Sequence, residues 1–267
     1  MNKEETILIK RFIELSRLAD KRYTQNFTSF LNLNEQSLFY ANRKEYMDTP
    51  YSIYGGYQDA ERKMVCFHGG MIPENATFLS GSEIEIDTKD LAKLYPISCV
   101  HISPLHAKFS DDLNHRDFLG AILNLGIDRS RVGDIFLKEN EGYVFCDTNI
   151  ANFIVDSLTK IKHTNVTCDL TSEEFTITPS FITIHGTITS VRLDAIIATA
   201  FQCSRSGIVG LISGGKVFVN GKEITSSSYV LKEGDIVSVR GKGKFIYEGT
   251  TYVTKKGRYS ITVKRYN

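Results

Sequence analysis

Basic and small polar side chains recur in the last third of the chain, where they could bind phosphate groups. Ser204 is a good helix N-cap residue, and Arg205 would then lie at the positive end of that helix. There, backbone N–H groups and a guanidinium can share one phosphate. Lys216 opens a strand-like stretch, and Asn220-Gly221 is the strongest short signal for a β-hairpin. The chemistry indicated is anion binding.

The basic residues are concentrated near the C-terminus. Arg240, Lys242 and Lys244 alternate with glycines, which predicts a flexible cationic loop. Residues 181–267 contain 13 Lys and Arg but only five Asp and Glu. The whole chain contains 32 Lys and Arg and 31 Asp and Glu, so the two signs nearly balance overall. Such an asymmetry predicts a polyanionic partner for the basic part alone.

The elements needed to position these residues predict an α+β protein. Helical spacing is found at 5–19 and 34–46, with strand-like stretches at 51–57 and 63–67, which predicts an N-terminal α+β unit over 1–75. Residues 76–172 are expected to form a ferredoxin-like domain, similar to an RNA-recognition motif. Its βαββαβ order comes from strands at 99–102, 134–138, 143–147 and 165–170 and helices at 115–125 and 151–161. The second helix is expected to be capped by Thr148 or Asn149.

Residues 171–179 are polar and without periodicity, which predicts a linker before a C-terminal domain at 181–267. That domain begins with a strand, a compact helical stretch over about 191–213 and two short strands around Asn220-Gly221. It ends in a hairpin over 251–266 in which basic and aromatic side chains interleave. Two interpretations of the hairpin stay open: an RNA surface that combines backbone contacts with stacking, or a solvated edge protected by lysines.

Three ordered motifs in this region resemble the RNA-binding domain named for ribosomal small-subunit protein four, the S-four domain, over about residues 181–245. They are 191–198, 203–222 and 231–244. The resemblance implies that ten residues lie on or near an RNA-binding face: Arg192, Ser204, Arg205, Ser206, Lys216, Asn220, Lys222, Arg240, Lys242 and Lys244. It also implies that Leu193 and Asp194 stabilise the fold, Asp194 by capping or by pairing with a cation.

The stretch 114–127 (Asn-His-Arg-Asp-Phe-Leu-Gly-Ala-Ile-Leu-Asn-Leu-Gly-Ile), followed by Val-Gly-Asp-Ile at 132–135, is similar to the YlmH family. These bacterial proteins join a ferredoxin-like RNA-binding domain to a C-terminal S-four domain. The resemblance covers most of residues 75–245, and 1–75 agree only in length and position. It implies association with the ribosome or its large-subunit RNA, with or without tRNA, and a role in translation quality control.

Two enzymatic interpretations are weighed against this one. Arg192-Leu193-Asp194 is similar to the catalytic motif of pseudouridine synthases, but the roughly 70 residues after Asp194 are too few for their catalytic domain. A methyltransferase would need a glycine-rich turn after a first strand, and residues 75–180 contain none. We therefore predict no catalytic residue, and an RNA-modifying enzyme of either class is the alternative. A scaffold that uses the S-four domain only for localisation is a third hypothesis.

Cofactor, metal and membrane motifs are not found in the sequence. The five cysteines are scattered without a CxxC pair, and the histidines show no ligand spacing, so neither a disulfide framework nor a metal site is predicted. The sequence suggests no cofactor and no small-molecule substrate. No apolar run approaches the ~20 residues that cross a bilayer, and the acidic start is unlike a signal peptide. A cytoplasmic location is expected.

Tyr143 and Phe145 share one side of a central strand of the ferredoxin-like domain. RNA-recognition motifs stack bases on aromatic residues at comparable places. The residues before Tyr143 match that family poorly, because it has a basic residue before the glycine and this chain has Glu141. The sequence therefore favours core packing against the two helices over base stacking.

Overall fold

The computed structural model contains helices and strands throughout, which confirms the α+β class. It describes residues 3–46, 48–58, 60–79, 81–171 and 181–266. The chain divides into two compact units, the first built from 1–32 and 38–177 and the second from 33–37 and 178–267. The predicted boundary within the first unit, between 1–75 and 76–172, stays a prediction. The predicted linker at 171–179 lies, apart from Thr171, outside the described residues.

The N-terminal part of the first unit forms a helix packed against a small sheet. The helix α1 (Lys3–Arg22) buries Phe12, Leu15 and Ala19 at helical spacing, as predicted. The helices and strands that follow are α2 (Leu33–Ala41), β1 (Asn26–Phe27), β2 (Tyr51–Tyr54), β3 (Met64–Phe67), β4 (Thr77–Phe78), β5 (Ile84–Glu85) and α3 (Thr88–Leu94). The strands β1, β3 and β2 form an antiparallel sheet in that order. The helix predicted over 34–46 ends at Ala41, and a 3-10 turn covers Arg43–Tyr46.

The second part of this unit has the predicted βαββαβ order. Its elements are β6 (Ile97–Pro104), α4 (His115–Asn124), β7 (Val132–Lys138), β8 (Glu141–Asp147), α5 (Thr148–Ser157), β9 (Lys160–Ile161) and β10 (Thr164–Thr171). The antiparallel sheet has the order β7-β8-β6-β10-β9, which is the ferredoxin-like arrangement with the short β9 added at one edge.

Local signals explain where the helices begin. The α4 helix starts at a capping box, in which the Asn114 side chain accepts from backbone N–H groups and the Asp117 carboxylate accepts from the Asn114 N–H. The cap expected at Thr148 or Asn149 is wrong. Asp147 caps α5, because its carboxylate accepts a hydrogen bond from the Asn149 N–H at 2.8 Å. That helix ends at Ser157, since the chain then turns into β9.

The second unit is a six-stranded antiparallel sheet with two helices on one face. Its elements are β11 (Phe181–Ile188), α6 (Leu193–Ala200), α7 (Arg205–Ser213), β12 (Val217–Val219), β13 (Lys222–Glu223), β14 (Ile236–Val239), β15 (Gly243–Val253) and β16 (Tyr259–Tyr266). The sheet order is β11-β16-β15-β14-β12-β13. Leu193, Ile196 and Ile197 of α6 pack into one core with the inward side chains of the sheet.

Two expectations for this unit need correction. The segment predicted as a flexible cationic loop is a tight turn, since Val239 pairs with Gly243 and the Lys242 N–H donates to the Val239 carbonyl at 3.0 Å. Gly241 and Gly243 make it possible with φ values of 82° and 113°. The hairpin at the C-terminus is confirmed, but β16 is not an edge strand, because it pairs with β11 on one side and β15 on the other.

No single helix of the described ranges combines the length and the apolar composition of a membrane span. Among those helices, only α6 with α7, bent by 120°, meets both criteria as a pair.

Candidate nucleic-acid interface

Two arginines converge on one buried carboxylate at the start of α6. The Arg192 Nε donates to Asp194 Oδ1 at 3.1 Å, and the Arg205 Nη2 donates to Asp194 Oδ2 at 2.6 Å. The Asp194 side chain is 4% exposed, whereas those of Arg192 and Arg205 are 41% and 50% exposed. The carboxylate therefore holds both guanidiniums in place while their outer N–H groups face solvent.

The electrostatics of Asp194 follow from these contacts. Burial by itself raises the pKa of its carboxyl, but hydrogen bonds from Arg205 and Arg192, together with their charges, outweigh burial and lower the pKa below its usual range. Asp194 is thus ionised at neutral pH. The expectation that it pairs with a nearby cation is confirmed, and Leu193 beside it is fully buried.

Ser204 occupies the N-cap position of α7, but its side chain makes no capping hydrogen bond. Its hydroxyl instead accepts from the Ser206 hydroxyl at 3.3 Å. Both serines are exposed beside Arg205. The helix N-terminus, the two hydroxyls and the arginine pair thus form one polar surface, which we call the arginine cluster (Arg192, Asp194, Ser204, Arg205 and Ser206).

A second group of cations lies where α7 leads into β12. The Arg240 N–H donates to the Lys216 carbonyl at 2.9 Å, so the two residues are neighbours on paired strands. The Arg240 guanidinium lies 4.9 Å from the centroid of the Phe218 ring, and the Lys244 Nζ lies 5.1 Å from the centroid of the Tyr266 ring. Aromatic faces thus support two of these cations. We call Lys216, Arg240, Lys242 and Lys244 the lysine cluster.

The register of the sheet places Arg192 and Lys244 near opposite ends of β11. The strand β11 pairs Phe181 with Tyr266 at one end and Ile188 with Tyr259 at the other. The lysine cluster is near the Tyr266 end, whereas the chain passes from Ile188 directly to Arg192. The eight residues of β11 separate the ends by about 23 Å. The helix α6 connects these ends, because Phe201 after it contacts Phe245 next to Lys244 while the Arg205 side chain reaches back to Asp194.

The two remaining predicted residues lie on the hairpin between β12 and β13. The Asn220 side-chain Nδ2 donates to Asp235 Oδ1 at 2.8 Å, and the Asn220 side-chain Oδ1 accepts from the Ile236 N–H at 2.9 Å. With φ at 48°, Asn220 adopts the left-handed conformation that this turn requires. Its side chain thus supports the fold, and only Lys222 is an exposed cation of this hairpin.

The aromatic face of the ferredoxin-like sheet contradicts one sequence prediction. Tyr143 and Phe145 do not pack against the two helices, because Val144 and Cys146 of the same strand do so. Tyr57 from the N-terminal part covers them instead, with its ring centroid 5.4 Å from that of Phe145. The side chains of Tyr143 and Phe145 are buried, so neither can stack on a base in this structure.

Comparison with known proteins adds to this geometry. The family model described as "Putative RNA-binding domain in YlmH" matches residues 93–175, and the model of the S4 domain, the S-four domain, matches residues 191–237. This chain is similar to the YlmH family. The arginine cluster, Lys216, Asn220 and Lys222 all lie within the S-four match, whereas Arg240, Lys242 and Lys244 follow it.

A curated relative is similar to this chain along nearly its whole length. It is "Ribosome-associated protein quality control protein P2" of Bacillus subtilis (strain 168), 27% identical over 269 residues that cover 98% of this chain and 96% of the relative. Among solved structures, "Cell division protein ylmH from Streptococcus pneumoniae" is 22% identical with a TM-score of 0.47, and the match covers 64% of this chain and 93% of that one.

The geometry of Asp194 gives a first testable prediction. Asp194→Ala should lower the free energy of unfolding of the second unit by about 2 kcal/mol, since two charge-assisted hydrogen bonds are lost. Because the folded-state pKa is depressed, the wild-type stabilisation is present at neutral pH and is lost as the pH falls through that pKa. Urea unfolding at pH 7 would measure it, with exposed Glu233→Ala as the control. Equal midpoints for both variants would contradict the prediction.

Proposed function

We propose that this protein is a non-enzymatic RNA-binding factor of the cytoplasm. It docks on structured ribosomal RNA of the large subunit, with or without bound tRNA, and acts in translation or ribosome-associated quality control. The arginine cluster carries the proposal, because two half-exposed guanidiniums are held rigidly inside a segment that matches an RNA-binding domain. The name of the Bacillus subtilis relative supports the ribosome as the partner.

The charge distribution supports phosphate contacts as the source of affinity. The second unit holds the surplus of basic residues, and most of the predicted RNA-binding side chains are exposed. The presence of cations near both ends of β11 favours a partner with fixed shape, since a folded RNA presents phosphates on both sides of a groove or junction. We therefore expect specificity to come from RNA shape more than from base sequence.

The burial of Asp194 weighs against the enzymatic alternative. A catalytic aspartate must reach the substrate, but both oxygens of Asp194 are engaged by arginines and the side chain is 4% exposed. Asp194 belongs to the Arg192-Leu193-Asp194 sequence that is similar to the catalytic motif of pseudouridine synthases. In the described part of the first unit, one groove of about 620 Å³ is open to solvent and partly lined by Arg116, Lys160 and Lys162. That lining does not suggest a methyltransferase cofactor site.

The decisive experiment is binding to purified ribosomal subunits across a salt series. The Arg205→Ala/Lys216→Ala variant removes one cation from each cluster and should bind about 30-fold more weakly than wild type. The slope of log affinity against log salt should become shallower by about 2, one for each lost phosphate contact. The matched control, Lys10→Ala/Arg17→Ala, removes two exposed cations of α1 and should bind like wild type.

Single variants would assign the contribution of each cluster to ribosome binding. Arg205→Ala tests the arginine cluster, and Lys216→Ala tests the lysine cluster. Undiminished binding by the double variant would show that the S-four face is not the docking surface, and the search would then move to the first unit.

A further inference from the structure

The hairpin between β15 and β16 ends in a largely solvent-exposed tip, residues 251–259, that lies beyond the segment matched by the S-four model. We propose that this hairpin tip is a second RNA-binding element, which binds unpaired nucleotides next to the folded RNA held by the arginine cluster. The proposal rests on the proposed function and adds to it a site and a class of RNA.

The hairpin tip is a turn closed by three hydrogen bonds. The Thr254 N–H donates to the Arg258 carbonyl at 2.7 Å, and the Gly257 N–H donates back to the Thr254 carbonyl at 2.9 Å. The Thr254 hydroxyl also accepts from the Arg258 N–H at 3.0 Å. Gly257, with φ at 69°, supplies the left-handed conformation of the turn. A preformed turn loses little conformational entropy on binding.

The charges of the hairpin tip are all positive. Lys255, Lys256 and Arg258 are exposed. The last acidic residue of the chain is Glu248, which forms an ion pair with Lys264 at 2.9 Å. No carboxylate follows it in the sequence, so the three cations have no acidic neighbour within their own segment. Such a group attracts phosphates.

Aromatic and apolar side chains are exposed beside these cations. Tyr252 is 61% exposed, Val253 is 56% exposed and Tyr259 is 37% exposed. In the register of the hairpin, Val253 pairs with Tyr259 and Tyr252 pairs with Ser260, so the two tyrosines are close neighbours. Cations interleaved with exposed aromatic rings are typical of surfaces that bind single-stranded nucleic acid, since each unpaired base has a face to stack.

The hairpin tip lies at the same end of the sheet as the arginine cluster. The Arg258 Nη2 donates to the Thr187 carbonyl at 3.0 Å, and Tyr259 pairs with Ile188. From Ile188 the chain reaches Arg192 within four residues. The tip and Arg192 therefore lie at the same end of β11, and an RNA that contacts the arginines would place its flanking nucleotides near the exposed tyrosines.

The test is binding of a fluorescein-labelled oligouridylate of 12 nucleotides to the full chain. The variant Lys255→Gln/Lys256→Gln/Arg258→Gln should bind about 10-fold more weakly, with a salt slope shallower by about 2, because single strands lose about 0.7 per phosphate contact. The control Lys10→Gln/Arg17→Gln/Lys21→Gln removes the same charge from α1 and should bind like wild type.

A second pair of variants tests stacking separately from charge. Tyr252→Ala/Tyr259→Ala should weaken oligouridylate binding about 10-fold without a change in salt slope, whereas Tyr252→Phe/Tyr259→Phe should retain affinity. All substitutions are at exposed positions, so far-UV circular dichroism should show unchanged folding.

The outcomes separate the two proposals. Equal oligouridylate affinities of the tip variant and its control, or no binding by wild type, would overturn the inference while leaving the ribosome proposal intact. If the tip variant loses oligouridylate binding and the wild-type protein does not bind ribosomal subunits, the proposal for the hairpin tip is supported and the proposal that the protein docks on the ribosome is refuted. Binding of the wild type to vesicles with anionic lipids in preference to the oligouridylate would also overturn it.

Discussion

Asp134→Ala is expected to lower the free energy of unfolding of the first unit by about 3 kcal/mol. The Asp134 carboxylate accepts three hydrogen bonds from one segment: from the Tyr57 hydroxyl at 2.6 Å, the Glu61 N–H at 2.6 Å and the Arg62 N–H at 3.1 Å. Bonds to a charged acceptor contribute about 1.5–3 kcal/mol each. Water can reach the half-buried carboxylate, so the expected loss is smaller than the sum.

The same variant should loosen the cover of the aromatic sheet face. Tyr57 contacts Phe136 and Phe145, with ring centroids 4.9 and 5.4 Å from its own, and its hydroxyl is fixed by Asp134. Gly56 permits this close approach, because a Cβ there would lie 2.3 Å from the Phe145 ring. Without the carboxylate, the loop loses the contact that fixes Tyr57 over the sheet.

Two measurements check the Asp134 prediction. Urea unfolding followed by far-UV circular dichroism gives the global loss, and hydrogen exchange of a peptide covering 55–63 should become faster. Asp156→Ala, at an exposed position of α5, is the control and should change neither. If Asp134→Ala unfolded at the wild-type urea concentration with unchanged exchange, the carboxylate would not be the anchor of this loop.

Acid is expected to destabilise the first unit by up to about 3 kcal/mol through one imidazole. His68 is fully buried, and its Nε2 lies 2.9 Å from the Ser52 hydroxyl, which in turn lies 2.9 Å from the Tyr95 hydroxyl. Burial lowers the pKa of His68 to about 4, since the charged ring would lose its hydration. Unfolding restores a pKa near 6.5.

The direction of the pH effect follows from these two values. Below pH 6.5 His68 is protonated in the unfolded chain, whereas in the folded chain it stays neutral until the pH falls to about 4. The stability contributed by the neutral imidazole is therefore complete above pH 6.5 and falls progressively toward pH 4. The gap between the two pKa values corresponds to about 3 kcal/mol.

A matched pair of histidine variants isolates the titration. His68→Gln should be less stable than wild type at pH 7 but should lose less stability between pH 7 and 4.5. His106→Gln, at an exposed position, should keep the wild-type pH dependence. Urea unfolding at several pH values provides the comparison. Parallel curves for wild type and His68→Gln would show that this imidazole does not control the acid sensitivity.

The local signals in the sequence predicted most of the elements. Apolar spacing located α1 and α4, and Asn220-Gly221 marked a hairpin. These features depend on neighbours within a few residues, so the sequence contains them directly. The exact start of α5 was harder to predict, because Asp147, Thr148 and Asn149 can each cap a helix. In the structure Asp147 is the cap and α5 begins at Thr148.

The sequence by itself determined the α+β class, the order of elements, the concentration of positive charge in the second unit and the family motifs. It could not decide which side of β8 faces the helices, because Tyr143 and Phe145 alternate with Val144 and Cys146, and both pairs are apolar. Only the tertiary structure placed Tyr57 over the aromatic side.

The tertiary structure also decided how the predicted RNA-binding residues are distributed. Spacing along the chain contains no information on strand register, so it could not show that Arg205 and Arg240 lie at opposite ends of one sheet. Nor could it show that Arg258, far along the chain, lies next to the strand that leads to Arg192. Those positions follow from pairing between distant strands, which the packing of the whole unit determines.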